Sequence, residues 1–406
     1  MFTQSNSIPS ITFFYPSRII GGAEFLYIRL AKYITENTSI PVFVYDYEDG
    51  FLRKSLQSSS VKVINYTDDG EVVIYHDTIV VTPFCHIFKS NEFVVKTNSV
   101  RIFYWSIHPT HFTCFFHNRN WFIEKKDLDI LNADFIKLIE QKAMVFMDYP
   151  NYTENKVKLN LPYNEQELSY LPICCDMYDG PQRDYKNKDI LNICWLGRIA
   201  IDKVAAIENY AWHLNNLDDK TRAKIKFTII GNGEEEERLL KFIDNLDLKY
   251  EHKETVLGKE LNTFLVNEVD LGVAMGTSLL EFAKLRIPVV MADIMGKTEF
   301  NKSDKFRWLY ETIGFSMGDI FKSNNDYKHR IEDIVETIST ETTYNQVATL
   351  CYNYYNQNHA LTKIANKLID MAGASKIVLP DDSVQRITNV MNPWYFNAMK
   401  KVKNMF

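Results

Sequence analysis

The chain has 406 residues, of which 46% are hydrophobic and 24% are charged, and these proportions exclude a wholly disordered protein. Its 46 basic and 52 acidic residues give a formal net charge of −6, so no overall basic field exists to attract a nucleic acid. The length predicts about two or three domains.

The first ten residues and the cysteines favour a cytoplasmic location. The start lacks the basic and apolar regions of a signal peptide, and no apolar stretch approaches the ~20 residues that a spanning helix needs. The six cysteines include no Cys-x-x-Cys pair, which argues against a disulfide framework and against a zinc knuckle. We therefore expect reduced cysteines in a cytoplasmic protein.

Short apolar runs alternate with helical patterns in the first part of the chain. Residues 11–15 predict a buried strand, and the Gly21-Gly22 pair opens a helix that runs to about Ile34. Alternating strands and helices predict a parallel sheet with right-handed crossovers. The remaining predicted strands lie at 42–45, 61–64, 79–81, 100–105 and 143–147, and a helix is predicted at 124–140.

Residues 148–189 break this pattern with four prolines and polar runs, and they are predicted to be a linker. A second alternating series follows, so the sequence predicts two doubly wound domains. Its strands are predicted at 190–196, 225–230, 269–274 and 287–292, and its helices at 205–214, 234–246, 278–285, within 326–372 and at 384–404.

Ligands of open α/β sheets bind beyond the carboxyl ends of the strands, so the strand-to-helix turns are the candidate sites. In the first domain, Gly21 and Gly22 precede a helix, where paired glycines allow a phosphate to approach closely. In the second domain, Gly197 is followed by Arg198 and Lys203, whose guanidinium and ammonium groups suit a diphosphate. The alternative for the Gly21-Gly22 pair is a plain turn, and the alternative for Arg198 and Lys203 is two solvated cations in a loop.

Two further turns of the second domain contain glycine. Gly231 and Gly233 allow a tight turn that either lines a nucleotide or is only structural, and Glu236 excludes the Rossmann Gly-x-Gly-x-x-Gly fingerprint. Gly276, Thr277 and Ser278 offer hydroxyl and backbone N–H groups to phosphate oxygens, and Glu281 could accept hydrogen bonds from ribose hydroxyls. The alternative is a capping box between Ser278 and Glu281.

In this order and spacing the turns resemble those of GT-B glycosyltransferases, most closely the retaining family 4. That family has a Gly-Gly-x-Glu helix start, a Gly-Arg…Lys pair, a Gly-x-Gly turn, and a Ser-x-x-Glu helix followed by a Pro-Val strand; here Ser278 to Glu281 and Pro288-Val289 match the last two. The resemblance implies two Rossmann-like domains that face a central cleft, with a C-terminal helix returning to the N-terminal domain. It implies an acceptor domain at 1–172 with 384–406, and a donor domain at 173–383.

The resemblance also implies a role for individual residues. Arg198 and Lys203 would hold the donor diphosphate and stabilise the departing nucleotide, which would remove the need for a divalent metal or other cofactor. Glu281 would bind the ribose, and His108 would contact the donor sugar or polarise the acceptor. Thr277 and Ser278 would add phosphate contacts, Gly22 would let the N-terminal helix approach the donor, and Gly21, Gly197, Gly231, Gly233 and Gly276 would shape the surrounding turns.

One departure from the family concerns the sugar end of the donor. Many members carry Glu-x7-Glu, but eight residues before Glu281 this chain has Val273, within a predicted strand. Main-chain groups near Gly276 and Thr277 are the alternative contacts for the sugar. The missing glutamate also motivates a rival hypothesis, a GT-B protein that has lost catalysis.

Two aromatic segments remain. Residues 108–122 predict an aromatic loop over an acceptor site near 103–122 or, alternatively, core packing; the repeat of His108, His111, Cys114 and His117 matches no usual zinc spacing. Residues 394–403 combine aromatic residues with lysines, as a peripheral membrane contact on the inner face would, although a helix that packs back on the N-terminal domain is favoured.

The predicted function is that of a retaining, metal-independent glycosyltransferase. Its partners would be a nucleotide-sugar donor and a glycan or lipid-linked acceptor in surface polysaccharide biosynthesis. Within enzymes, a sugar-nucleotide 2-epimerase of the same fold is the alternative. A nicotinamide-dependent dehydrogenase is disfavoured because the dinucleotide-binding fingerprint is missing.

Overall fold

The computed structural model describes residues 8–68, 70–109, 125–296, 304–322 and 327–391. The chain divides into two compact units. Unit 1 consists of Met1–Ile173 and Leu361–Phe406, and unit 2 consists of Cys174–Ala360.

Every predicted strand is present, together with four strands that the sequence did not predict. The described strands are β1 Ile11–Phe14, β2 Val42–Asp46, β3 Lys62–Asn65, β4 Val72–Ile74, β5 Thr78–Pro83, β6 Phe93–Val95, β7 Val100–Ser106, β8 Met144–Phe146, β9 Leu191–Leu196, β10 Ile225–Ile230, β11 Tyr250–Lys253, β12 Leu271–Ala274, β13 Val289–Met291 and β14 Arg307–Trp308. The four added strands are β4, β6, β11 and β14.

The helices lie between the strands and at the end of each unit. The described α-helices are α1 Gly22–Asn37, α2 Phe51–Leu56, α3 Lys125–Glu140, α4 Tyr149–Leu159, α5 Val204–Asn215, α6 Asp219–Arg222, α7 Glu236–Ile243, α8 Gly258–Glu268, α9 Thr277–Ala283, α10 Ile331–Ile338, α11 Glu341–Asn358, α12 Leu361–Gly373 and α13 Asp382–Met391. No helix of the described residues is long and apolar enough to cross a membrane.

Each unit has its own six-stranded sheet. The order is β3-β2-β1-β5-β7-β8 in unit 1 and β11-β10-β9-β12-β13-β14 in unit 2, while β4 and β6 pair separately. All neighbours run parallel except β13 and β14. Numbered within its own sheet, each order is 3-2-1-4-5-6, the doubly wound arrangement. The two predicted Rossmann-like domains are thereby confirmed, and the strand order reverses direction at β1/β5 and at β9/β12.

The central strands are apolar because helices cover both faces of a parallel sheet. All four residues of β1, all six of β5 and all four of β12 are buried. Phe103, Tyr104 and Trp105 on β7 are also buried, with at most 1% exposure. The start of the predicted acceptor site near 103–122 is therefore core; residues 110–124 lie outside the described residues.

The predicted linker at 148–189 is wrong in its first third, because residues 149–159 form α4. Asp148 caps this helix by accepting a hydrogen bond from the Asn151 N–H at 2.8 Å. Pro150 stands in the first turn, where its missing N–H costs nothing. A proline that indicated a linker thus marks a helix start.

The C-terminal helical region belongs to unit 1 from Leu361 onward, whereas the sequence-based division kept 173–383 together. The guanidinium of Arg101 on β7 donates to the carbonyls of Gly373 and Ser375 at 2.7 and 3.1 Å. On α13, Arg386 donates to both carboxylate oxygens of Asp134 at 2.9 and 2.6 Å. These contacts place the returning helix on the N-terminal domain, as expected, through Met391; residues 392–406 lie outside the described part.

Candidate active site

The loop after β9 lies at the point where the second sheet reverses its strand order. Gly197 has φ +149°, and its N–H donates to the carbonyl of Ile230 at 3.0 Å. A Cβ on Gly197 would lie 3.7 Å from the Ser278 hydroxyl oxygen. The structure thus brings two predicted site residues, from the ends of β9 and β12, next to each other.

The Gly231-Asn232-Gly233 turn after β10 packs on this loop. A Cβ on Gly231 would overlap the carbonyl oxygen of Gly197, and one on Gly233 would overlap that of Ile199. The Ile199 N–H also donates to the Asn232 carbonyl at 2.9 Å. Both glycines are therefore required by close backbone contact between loops, which is the structural alternative considered for this turn.

Asn232 connects the turn to the loop after β11. Its side-chain oxygen accepts from both the N–H and the hydroxyl of Thr255 at 2.7 Å. His252 Nε2 lies 2.9 Å from the Gly231 carbonyl, a contact that requires Nε2 to be the donor. Sequence reasoning missed Thr255 and His252, because β11 is a half-buried edge strand with the sequence Tyr-Glu-His-Lys and no apolar run.

The two predicted phosphate-binding cations differ in their surroundings. Arg198 is exposed and makes no ion pair with any described residue. Lys203 stands at the N-cap of α5, and its ammonium is paired with Asp202 at 2.9 Å. Burial alone would raise the pKa of Asp202, but Lys203, with a smaller contribution from Arg198, lowers it below the ordinary value.

Glu234 lies beside the same cations. Its carboxylate accepts from the Ile201 N–H at 3.2 Å, and backbone hydrogen bonds lower its pKa. The sequence predicted only cations for this loop, whereas the structure adds Asp202 and Glu234. The result is a mixed cluster in which Asp202 and Glu234 hold the loop while Arg198 projects to solvent.

The start of α9 has no side-chain cap. Its N-cap is Gly276, with φ +67° and ψ −145°, and a Cβ there would meet nothing within 4 Å. The Gly276 N–H donates to the Met317 carbonyl at 2.6 Å. The capping-box interpretation of Ser278 and Glu281 is therefore wrong, because Ser278 lies inside the helix. Thr277 and Ser278 are half-buried at the helix start.

Glu281 lies one turn further along α9, where Lys284 and Cys175 contact its carboxylate. Its Oε2 is 2.5 Å from the ammonium of Lys284, and its Oε1 accepts from the thiol of Cys175 at 3.3 Å. The side chains of Glu281 and Lys284 are 14% and 5% exposed. Sequence reasoning selected Glu281 and missed both partners, which no motif indicates.

In unit 1, the Gly21-Gly22 turn is supported from inside by Glu24. Gly21 is the N-cap of α1, and Glu24, only 5% exposed, accepts from the Ser17 hydroxyl at 2.8 Å. Burial and then the Glu24 carboxylate raise the pKa of Tyr15. A Cβ on Gly21 would lie 2.8 Å from Glu24 Oε2, so glycine leaves room for this carboxylate.

His108 lies just after β7, at the carboxyl end of the first sheet, and is half-buried. His111, Cys114 and His117 lie outside the described residues. Within the described ranges, no group of three or more His, Cys, Asp or Glu side chains is placed to hold a metal ion.

Solved structures with the same architecture exist. HepE of Anabaena in complex with UDP-glucose matches with a TM-score of 0.55 and 12% identity, covering 89% of this chain and 98% of HepE. A glycosyltransferase of Rickettsia africae matches with a TM-score of 0.56 and 12% identity, covering 89% of this chain and 97% of the other. WaaG, a glycosyltransferase involved in lipopolysaccharide biosynthesis, matches with a TM-score of 0.52 and 12% identity, covering 89% of this chain and 98% of WaaG.

No protein-family model and no curated protein matches the sequence. At these identities the structural likeness establishes the fold, and it is the GT-B fold of glycosyltransferases. The resemblance inferred from the turns is confirmed at that level.

Proposed function

We propose that this chain is a retaining, metal-independent glycosyltransferase that uses a nucleoside-diphosphate sugar. The observation that supports the proposal most strongly is the meeting of Gly197 and Ser278 at the β9/β12 switch point. Arg198, Lys203 and Glu281 follow the same two strands, so groups suited to a diphosphate and to a ribose project from one edge of the sheet.

The two cations supply the main electrostatic contribution. Bond breakage leaves negative charge on the departing diphosphate, and a preformed pair of cations stabilises that charge without a metal ion. Arg198 is exposed and ready to bind phosphate oxygens. Lys203 turns from Asp202 to the donor, whereas the hydrogen bond from the Ile201 N–H to Glu234 keeps the loop in place.

Retention of configuration follows from a reaction on one face of the sugar. The bond between the anomeric carbon and the phosphate oxygen breaks, and a bond forms from that carbon to an acceptor hydroxyl oxygen. The hydroxyl proton passes to the departing phosphate oxygen, so charge and atoms balance. In this scheme Glu281 holds the ribose hydroxyls and His108 contacts the sugar or the acceptor.

The acceptor is proposed to be a glycan or a lipid-linked glycan in surface polysaccharide biosynthesis. WaaG, which shares the fold, is involved in lipopolysaccharide biosynthesis, and HepE is seen with UDP-glucose. Peripheral membrane contact through the aromatic and lysine residues at 394–403 is part of the proposal. Co-sedimentation with anionic vesicles tests it, and equal binding to neutral vesicles would contradict it.

A panel of nucleotide sugars tests the function. Nucleotide release in the presence of glycan acceptors, unchanged by a chelator, is the expected result. Release that stops with chelator would overturn metal independence. Conversion of the donor to its epimer without an acceptor would instead favour the 2-epimerase, and the absence of nucleotide binding by any member of the panel would overturn the proposal.

A further inference from the structure

Both oxygens of the Glu281 carboxylate are held before any ligand binds. Lys284 contacts Oε2 at 2.5 Å, and Cys175 contacts Oε1 at 3.3 Å. A carboxylate has about four acceptor sites, and Lys284 and Cys175 approach different oxygens of it. Contacts at both oxygens restrict the orientation of the carboxylate.

Lys284 is an unusual residue at its position. It is 4% exposed, and its neighbours on α9 include the fully buried Leu279, Leu280, Phe282 and Ala283. Burying an ammonium group is costly unless it is paired. An apolar residue would fill this position at lower cost, so stability alone does not account for the lysine.

Cys175 is itself anchored by the end of α11. Its N–H donates to the His359 carbonyl at 3.1 Å, and the Tyr355 hydroxyl donates to the neighbouring Asp176 carbonyl at 2.9 Å. The thiol therefore reaches Glu281 from a segment with its own fixed backbone. Because this backbone anchoring does not involve α9, Lys284 and Cys175 contact the carboxylate from two separate elements.

We propose that Lys284 is a positioning residue that orients the Glu281 carboxylate to accept hydrogen bonds from both hydroxyls of the donor ribose, with Cys175 as its second support. This inference rests on the proposed function. A carboxylate near a bound diphosphate is repelled by the negative charge of that group, and a buried ammonium on the far oxygen of the carboxylate offsets the repulsion.

The test measures the affinity of the full chain for UDP, the nucleotide of the HepE complex, and for 2′-deoxy-UDP by calorimetry. If the donor panel selects another base, the corresponding pair is used. The variants are Lys284→Met, Lys284→Arg and Cys175→Ala, with the exposed Lys220→Met as the matched control. Thermal unfolding of each variant is recorded in parallel.

The expected result for Lys284→Met is a ~10–100-fold loss of UDP affinity, the usual effect of disturbing a hydrogen bond to a charged group. The same variant should lose several-fold less affinity for 2′-deoxy-UDP, because that ligand lacks one of the two hydroxyls that Glu281 would bind. Lys284→Arg recovers part of the affinity. Cys175→Ala gives a smaller loss in the same direction, and it replaces the methionine variant if that variant does not fold.

The outcomes separate the two proposals. If the wild type binds no nucleotide, the proposed function fails. If the wild type binds nucleotide and Lys284→Met keeps its full affinity, only the role of Lys284 is overturned. The same holds if the variant loses affinity for UDP and for 2′-deoxy-UDP equally, because a purely structural lysine would give an equal loss.

Discussion

The carbonyl oxygen of Gly197 occupies the place that a side chain on Gly231 would need. The two residues follow neighbouring strands, β9 and β10, and their backbones touch at the carboxyl edge of the sheet. The loop that carries Arg198 is therefore held by the turn of the next strand rather than by its own hydrogen bonds alone.

Replacing Gly231 by alanine should disturb this contact. Gly231 has φ +141°, so alanine adds backbone strain to the overlap, and we expect a loss of about 2–4 kcal/mol in the free energy of unfolding together with loss of nucleotide binding. Gly258 is the matched control, since it has φ +61° and open space around the position of a Cβ. An equal effect of Gly258→Ala would assign the loss to φ rather than to loop contact.

A buried ion pair joins the first segment of unit 2 to the residue that precedes β12. The Arg183 guanidinium contacts Asp270, and their side chains are 0% and 4% exposed. Arg183→Met should cost about 3–5 kcal/mol in urea unfolding, because Asp270 is left without its main partner in a buried environment. The exposed pair of Arg18 and Asp49 provides the contrast, and Arg18→Met should leave the unfolding midpoint unchanged. Equal midpoints for both variants would contradict the prediction.

The stability of unit 1 should fall in mildly acidic solution because of His86. Burial, partly offset by a hydrogen bond with the Phe14 backbone, lowers the pKa of His86 from 6.5 to about 4. Between these two pH values the unfolded chain binds a proton that the folded chain does not. The contribution of neutral His86 to the free energy of unfolding is therefore fully present above about pH 6.5 and is lost as the pH falls towards about 4. The loss is about 3 kcal/mol.

Urea unfolding at pH 7 and pH 5 measures this effect. In His86→Phe, which keeps a ring against Tyr15, the difference in unfolding free energy between the two pH values should shrink. If the variant retains the full pH dependence of the wild type, other groups are responsible for it.

Much of the fold was predictable from periodicity. Apolar runs such as residues 225–230 gave the central strands, because a strand covered on both faces must be apolar along its length. The edge strand β11 was missed for the opposite reason, since its four residues are all half-buried and polar in character. Helix α4 was missed because Pro150 was interpreted without the N-cap residue of the helix, Asp148.

The candidate site was predictable only in its outline. Glycines identified the turns after β9, β10 and β12, but no sequence pattern separates loop contact at Gly231 from ligand contact. The supports of individual side chains, such as Lys284 and Cys175 for Glu281, come from packing between distant segments. Periodicity carries no information about such pairs.

Arg198 and Lys203 provide the direct test of catalysis. Arg198→Ala and Lys203→Ala should each lower the turnover of the preferred donor by ~10²–10³-fold, the usual effect of removing one group that stabilises developing charge. Because Arg198 is exposed and Lys203 has a single ion pair among the described contacts, thermal unfolding should change little. Arg330→Ala, which removes an exposed arginine of the same unit, is the control and should keep full turnover. Full activity of either site variant would remove that cation from the donor site, and a parallel loss in Arg330→Ala would assign the effect to overall charge.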